Sequence, residues 1–141
     1  KDKAVLTLLK MDDVIEKDFE VVNPHMSLGD LVKVIARSSR NAFPVVDDKG
    51  VLLGIVQLDN IRNIMFRPEL YERFHVSKFM VSAASKIEIN KSMEQIMRTF
   101  DDTKAWNLPV VDMQGRYIGF VSKSKIFNSY REVLVENFSG D

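Results

Sequence analysis

A tandem duplication constrains what this chain can fold into more than any other feature of its sequence. The segment "FPVVDDKGVLLGIVQLDNIRNI" aligns with "LPVVDMQGRYIGFVSKSKIFNS", which pairs Pro44 with Pro109 and Gly54 with Gly119 at a constant separation of 65 residues. The same separation continues backwards without a gap and pairs "MDDVI" with "VSKFM". Two copies of one structural unit are therefore expected, each too small to bury its apolar sheet face alone.

Each copy reads as strand, helix, strand, strand, helix. Ser27 and Ser92 end short extended segments and are natural N-caps for the amphipathic helices that follow. The runs "FPVVD" and "LPVVD" and the returning runs "VLLGIVQL" and "RYIGFVSK" predict hairpins with glycine in the turn. Closing helices begin at "DNIRNIMF" and "SKSKIFNSYREVL", and "RPELYERFH" predicts a short helix between the copies. We expect the two copies to pack about a pseudo-twofold axis as one α+β (α/β-like) domain.

The predicted boundaries follow the duplication. They are a connecting segment at 1–10, a first repeat at 11–67, a linker at 68–75, a second repeat at 76–134 and a tail at 135–141. Because the sequence opens on lysine, we expect it to be a piece of a longer protein.

Composition excludes several classes of function. Lys plus Arg (20) balances Asp plus Glu (20), so there is no basic field to hold a nucleic acid. The absence of cysteine removes disulfides and thiolate metal sites, and the two histidines lack a nearby ligand cluster, so no metal site is expected. No nucleophile elbow, phosphate-binding glycine loop or zinc-protease motif occurs, which predicts a protein that is not an enzyme. No apolar run is long enough to cross a bilayer, so this piece is expected not to insert into a membrane.

The pattern "PVVD..G...G.V", present in both halves, resembles a pair of cystathionine-β-synthase-type (CBS) domains, the Bateman module. The segments "IEKDFEVVNPHMSLGDLV", "SRNAFPVVD", "IRNIMFRPELY", "AWNLPVVD" and "GFVSKSKIFNSYREVL" are similar to the cytoplasmic C-terminal region of bacterial ClC-type chloride channels and transporters. The first resemblance implies a non-catalytic sensor with adenine nucleotides between the repeats, and a dimer. The second implies a membrane-embedded transport domain as partner and a place at the cytoplasmic face of the membrane.

The resemblance also implies which residues hold a ligand. Many nucleotide-binding members carry Ser or Thr three residues after the third-strand glycine and Asp six residues after it, where the carboxylate holds the ribose hydroxyls. The first copy has Gln57 and Asn60 at these positions, with Asp59 one place early, and the second has Ser122 and Lys125. Neither copy keeps the carboxylate. Ribose contacts through amides are implied in the first copy, and hydroxyl contacts with a lysine for a phosphate in the second.

Further contacts are implied around the adenine and along the walls of the clefts. The starts of the second strands would hold the base, and the first strand would line a cleft. These residues are Val22, Asn23, Pro24, Ala42, Phe43, Asn107 and Leu108. The hydroxyl of Ser124 is a further candidate contact in the second copy.

The same residue types also serve a fold without a ligand. Four of the candidates fit helix N-caps, namely Asp59, Asn60, Ser122 and Ser124. Lys125 fits a solvated surface position. Trp106, with its large apolar body, is expected to pack more than to stack on a base.

The sequence therefore supports two hypotheses of function from different classes. The first is a regulatory CBS pair of a ClC-type chloride channel or transporter that senses ATP, ADP or AMP, with no cofactor required. The alternative is a structural module that assembles a homodimer without binding nucleotide, or a CBS pair attached to another transporter or a metabolic enzyme.

Overall fold

The computed structural model describes residues 6–138 and confirms the α+β class. Residues 1–5 and 139–141, parts of the predicted connecting segment and tail, lie outside the described residues. In chain order the elements are α1 (Met11–Val14), α2 (Leu28–Arg37), β1 (Ala42–Val46), β2 (Leu52–Gln57), α3 (Leu58–Ile61), β3 (Ile87–Glu88), α4 (Met93–Thr103), β4 (Asn107–Val111), β5 (Tyr117–Ser122) and α5 (Lys123–Phe138).

The chain folds as two compact units whose limits differ from those of the sequence repeats. The repeat-1 unit consists of residues 18–83 and 114–117. The repeat-2 unit consists of residues 84–113 and 118–138 together with residues 6–17. The opening segment of the first sequence repeat thus belongs to the unit built from the second.

The repeat-1 unit contains an antiparallel hairpin of β1 and β2, in which Phe43 is opposite Val56. Val22 lies beside β1 in parallel orientation, donating its N–H to the Pro44 carbonyl at 2.9 Å. On the other edge, Val81 pairs with Ile55 of β2. Helix α2 covers this sheet with its buried apolar face, so that the core of the unit lies between the helix and the hairpin.

The repeat-2 unit reproduces this arrangement with the same 65-residue separation. The parallel pairing of Val22 with Val45 becomes that of Ile87 in β3 with Val110 in β4. Glu16 pairs with Phe120 of β5, as Val81 pairs with Ile55 in the repeat-1 unit. The duplication seen in the sequence is therefore a duplication of strand pairing as well.

The predicted caps of the two long helices are confirmed. The Ser27 hydroxyl accepts from the Asp30 N–H at 3.1 Å, and the Ser92 hydroxyl accepts from the Gln95 N–H at 3.2 Å. In α4 the Gln95 side chain also accepts from the backbone N–H of Ser92, which completes a capping box.

The closing helix of the first copy is much shorter than "DNIRNIMF" predicts. Helix α3 ends at Ile61 after four residues, and turns follow as far as Phe66. Its counterpart α5 has sixteen residues, as expected from "SKSKIFNSYREVL". The linker "RPELYERFH" forms a single 3-10 turn at Pro68–Leu70, with proline at its first position.

Within residues 6–138, no helix combines the length with the apolar character needed to cross a membrane.

Candidate functional site

Half-site 1 lies at the end of the β1–β2 hairpin where the chain enters β1 and leaves β2. It comprises Ala42, Phe43, Gln57, Asp59 and Asn60. Ala42 is directly opposite Gln57 in the sheet, and the next residue, Leu58, donates its N–H to the Asn41 carbonyl at 2.9 Å. The hairpin therefore brings residues that are far apart in sequence to one end of the repeat-1 unit.

The polar side chains of half-site 1 do not cap α3. Gln57 occupies the N-cap position, but its side chain makes no capping hydrogen bond. Asp59 and Asn60 lie inside the first turn, so the prediction that one of them is the N-cap is wrong. The helix begins one residue earlier than expected because Leu58 already pairs with the chain entering β1. The Asp59 carboxylate instead accepts from Arg62 at 2.7 Å, and all three polar side chains are exposed.

The first-strand candidates Val22, Asn23 and Pro24 lie away from half-site 1. Val22 runs parallel to β1 opposite Val45, so the residues after it lie toward the hairpin turn. Asn23 accepts from the His25 N–H at 2.8 Å and donates to Asp48 at 3.2 Å. Within the repeat-1 unit Val22 therefore pairs with β1, and Asn23 and Pro24 lead into a turn toward the opposite end of that strand.

Four apolar candidates are buried, namely Val22, Pro24, Phe43 and Leu108. Phe43 and Leu108 are both 0% exposed and belong to the cores of their own units. Any contact that they make with a ligand in this arrangement would come from their backbone groups.

Half-site 2 lies at the equivalent end of the repeat-2 unit. It comprises Asn107 and Leu108 at the start of β4 and Ser122, Ser124 and Lys125 at the start of α5. The Ser122 hydroxyl accepts from the Lys125 N–H at 3.0 Å, which confirms its predicted role as a helix cap. Ser124 is exposed within the first turn and is not the cap. The Asn107 side chain is exposed beside them.

Trp106 adjoins half-site 2, and the prediction that its large apolar body packs is wrong. Its side chain is 69% exposed. Its carbonyl accepts from the Lys123 N–H at 3.0 Å, and the Lys123 ammonium lies 5.1 Å from the centroid of its ring. The core of this unit is filled by the neighbouring Leu108, because alternate residues of a strand point to opposite faces.

Sequence reasoning missed a charged cluster that adjoins half-site 1. Arg40, two residues before Ala42, forms an ion pair with Asp18, and its guanidinium lies 4.2 Å from the centroid of the Phe19 ring. Burial raises the pKa of the neighbouring Tyr117 hydroxyl, although the positive charge of Arg40 acts to lower it. The signal available in the sequence was the position of Arg40 at the entrance to β1. Its partners are distant in sequence and are brought close only by the fold.

Comparison with known proteins places this geometry in a family. The sequence profile of the CBS domain matches residues 11–67 and 76–132. An inosine-5′-monophosphate dehydrogenase of Methanocaldococcus jannaschii is 26% identical over 118 residues, which span 84% of this chain and 23% of that protein. The chain thus corresponds to about a quarter of the length of this relative.

Solved structures show the same fold at low sequence identity. CbpB in complex with c-di-AMP has a TM-score of 0.78 at 14% identity, covering 99% of this chain and 96% of that one. The CBS domain of a bacterial CNNM/CorC family Mg²⁺ transporter in complex with ATP has a TM-score of 0.76 at 13% identity, covering 92% of each chain. With both halves of the duplication matched by the family profile, the chain belongs to the CBS domain family and carries two copies of the domain.

Proposed function

We propose that this chain is a non-catalytic regulatory module that binds adenine nucleotides at the cytoplasmic face of a membrane, as part of a ClC-type chloride channel or transporter. The observation that carries the nucleotide part is the pair of equivalent half-sites. Gln57 and Asn60 correspond to Ser122 and Lys125 at the 65-residue separation. Gln57 and Ser122 end the last strand of a hairpin, and Asn60 and Lys125 lie in the helical turn that follows, where polar groups can meet a ligand from outside the core.

Structural relatives support the class of ligand. Two proteins with this fold were solved in complex with c-di-AMP and with ATP. An adenine nucleotide presents a flat base, a ribose diol and phosphate. The half-sites offer amide and hydroxyl groups for the diol and lysine for the phosphate.

The missing carboxylate predicts weak binding in half-site 1. A carboxylate accepts two short charge-assisted hydrogen bonds from a diol, whereas the amides of Gln57 and Asn60 offer neutral ones. We therefore expect half-site 1 to bind less tightly than a site with aspartate at position 60.

The chloride-transport part of the proposal is supported by sequence likeness. Five segments distributed over most of the chain resemble the cytoplasmic region of ClC proteins. In such a protein the N-terminal residues would lead to the transport domain. Glu16 pairs with Phe120 of β5, and β5 ends at Ser122, so a single strand joins the leading segment to half-site 2. A ligand that favours one arrangement of this strand would bias the transport domain by its differential affinity.

Titration calorimetry of the Asn60→Asp variant with ATP, ADP and AMP tests the nucleotide part. The added carboxylate should tighten binding about fivefold, roughly the value of one charge-assisted hydrogen bond over a neutral one. The matched control is Asn63→Asp, which adds the same charge at an exposed position in the turn after α3. Absence of heat with all three nucleotides at millimolar concentration, in the parent and in the variant, would overturn nucleotide sensing.

The second candidate function is a structural module that holds a homodimer together. The absence of the ribose carboxylate from both half-sites favours it, as do the exposed apolar side chains of Phe127 (49%) and Val135 (64%) on α5. It predicts a dimer at micromolar concentration in sedimentation experiments and a melting temperature that nucleotide does not move. A ligand bound to the native state must raise that temperature by mass action, so a shift would favour sensing.

Attachment to a metabolic enzyme or to another transporter is the remaining alternative, favoured by the match to a dehydrogenase. The coding sequence upstream of Lys1 separates these cases. Membrane-spanning helices there would support a transporter, whereas a catalytic domain would overturn the proposed chloride-transport role.

A further inference from the structure

The tryptophan beside half-site 2 has a largely exposed side chain, which contributes little to the packing of the fold. Trp106 is the only tryptophan in the sequence, and 69% of its side chain is exposed. Its backbone is nevertheless fixed, because it immediately precedes β4 and its carbonyl accepts from the Lys123 N–H at 3.0 Å. A large, flat and water-exposed ring is therefore held in a defined place at the edge of a candidate binding site.

A cation is held over this ring. The Lys123 ammonium lies 5.1 Å from the ring centroid, within the range of a cation–π contact. Such a contact at a surface is weak, so an anionic ligand can draw the lysine away and leave the ring face open. Lys125 is exposed in the same helical turn, and the first turn of α5 contains no acidic residue.

The first copy of the duplication lacks these side chains although it keeps the backbone arrangement. The residues 65 places before Trp106, Lys123 and Lys125 are Asn41, Leu58 and Asn60. The Leu58 N–H still donates to the Asn41 carbonyl at 2.9 Å, as the Lys123 N–H donates to that of Trp106. The fold therefore requires neither the aromatic ring nor the lysine at this corner, and their presence calls for another explanation.

We propose that Trp106 is the platform on which the base of a nucleotide stacks, and that Lys123 contacts its phosphate. Half-site 2 would then select phosphorylated purine nucleotides over the corresponding nucleosides. The inference rests on the proposed function, since it assumes that half-site 2 binds an adenine nucleotide. It adds the groups that replace the missing ribose carboxylate: stacking and charge in place of recognition of the sugar.

The unique tryptophan makes the test direct. Trp106 emission is followed during titration with ATP, AMP and adenosine, in parallel with calorimetry on the same samples. ATP and AMP should change the emission along the same saturation curve as the heat. Adenosine should bind about tenfold more weakly than AMP, roughly the value of one charged phosphate contact.

Variants separate the two groups. Trp106→Leu should weaken ATP binding about tenfold by calorimetry, the usual order for one aromatic stack, whereas Trp106→Phe should retain most of the affinity. Lys123→Ala should weaken ATP binding and leave adenosine binding unchanged. The matched control is Lys91→Ala, which removes an exposed lysine near the other end of β4, where the Ile89 N–H donates to Val111. We expect this control to bind as the parent does.

Three results would overturn the inference. If calorimetry detects ATP while Trp106 emission stays constant and Trp106→Leu binds as the parent, the platform is wrong but nucleotide sensing stands. If no nucleotide gives heat, the proposed function fails and the inference fails with it. If emission changes with protein concentration and not with nucleotide, the ring belongs to a contact between copies of the chain.

Discussion

At the scale of single residues, Gly119 illustrates why the repeat keeps a glycine in its third strand. A Cβ on Gly119 would lie 2.5 Å from the Glu16 carbonyl oxygen and 2.9 Å from Cγ1 of Ile15. The equivalent atom on Gly54 would lie 2.8 Å from the Val81 carbonyl oxygen. In both units the glycine admits a neighbouring backbone segment. Such a contact with backbone cannot be relieved by a change of rotamer.

Gly115 has a different requirement, which allows the two mechanisms to be separated. Its φ is 83°, in the left-handed region, whereas a Cβ there would meet Cγ1 of Val51 only at 3.8 Å. The cost of a side chain at Gly115 is therefore conformational, not steric.

We predict that Gly119→Ala destabilises the protein by more than about 2 kcal/mol, since the Glu16 segment must move away from β5. Gly115→Ala should cost about 1 kcal/mol, and Gly115→Asn should recover part of that loss because asparagine tolerates the left-handed region. Urea denaturation of the three variants measures these differences. Equal losses for the two alanine variants would contradict the steric account of Gly119.

At the scale of elements, an ion pair ties the end of α2 to the extended segment before Val22. Arg37 donates from Nε to Glu20 Oε2 at 2.8 Å and from Nη2 to Oε1 at 3.1 Å. These hydrogen bonds hold the pKa of the Glu20 carboxyl below its usual 4.5. Because both groups are exposed to solvent, salt should screen part of the interaction.

The lowered pKa fixes the sign of a pH dependence. A carboxyl whose pKa is lower in the folded state contributes stability above its unfolded pKa and loses it as the pH falls through the folded value. We predict that Glu20→Gln lowers the melting temperature slightly at pH 7, and that the variant and parent converge well below pH 4.5. Melting curves measured at low salt from roughly pH 2 to pH 7 check this prediction, because carboxyls titrate within that range. A difference that persists unchanged at the acid end would show that the side chain acts through packing.

The caps and the closing helices show which features of an element can be predicted from local sequence. Ser27 and Ser92 were predicted as caps and are caps, because capping depends on residues only three apart. The extent of α3 was not predicted. Its apolar spacing continues beyond Ile61, but the chain turns there toward Pro68.

At the scale of the whole molecule, the duplication does not coincide with the compact units. Residues 11–17 begin the first sequence repeat but belong to the repeat-2 unit. Val14 is 0% exposed there and packs in the same core as Phe100 and Leu108. The stability of the repeat-2 unit should therefore depend on residues that a sequence boundary would assign elsewhere.

We predict that Val14→Ala destabilises the repeat-2 unit by about 2 kcal/mol, through the loss of buried methyl groups and the cavity left behind. Hydrogen exchange should show lower protection in α4 and β4. Val21→Ala is the control, since Val21 is 47% exposed and its truncation should change stability by less than about 0.5 kcal/mol. Protection lost mainly from α2 and β1 would contradict the assignment of residues 11–17 to the repeat-2 unit.

The sequence by itself determined the duplication, the order of the elements, the helix caps at Ser27 and Ser92, and membership of the CBS family. These properties depend on periodicity, on turn glycines such as Gly50 and on contacts between close neighbours along the chain. All of these are determined by residues that are close together in the sequence.

The tertiary structure alone decided which side chains are available to a ligand. Phe43 and Leu108 are buried and Trp106 is exposed, although all three are large apolar residues at strand entrances. It also decided that Asn23 lies away from Gln57, and that the Glu16 segment pairs with β5. Exposure and long-range pairing depend on which elements meet in space, and no local pattern of residues specifies that meeting.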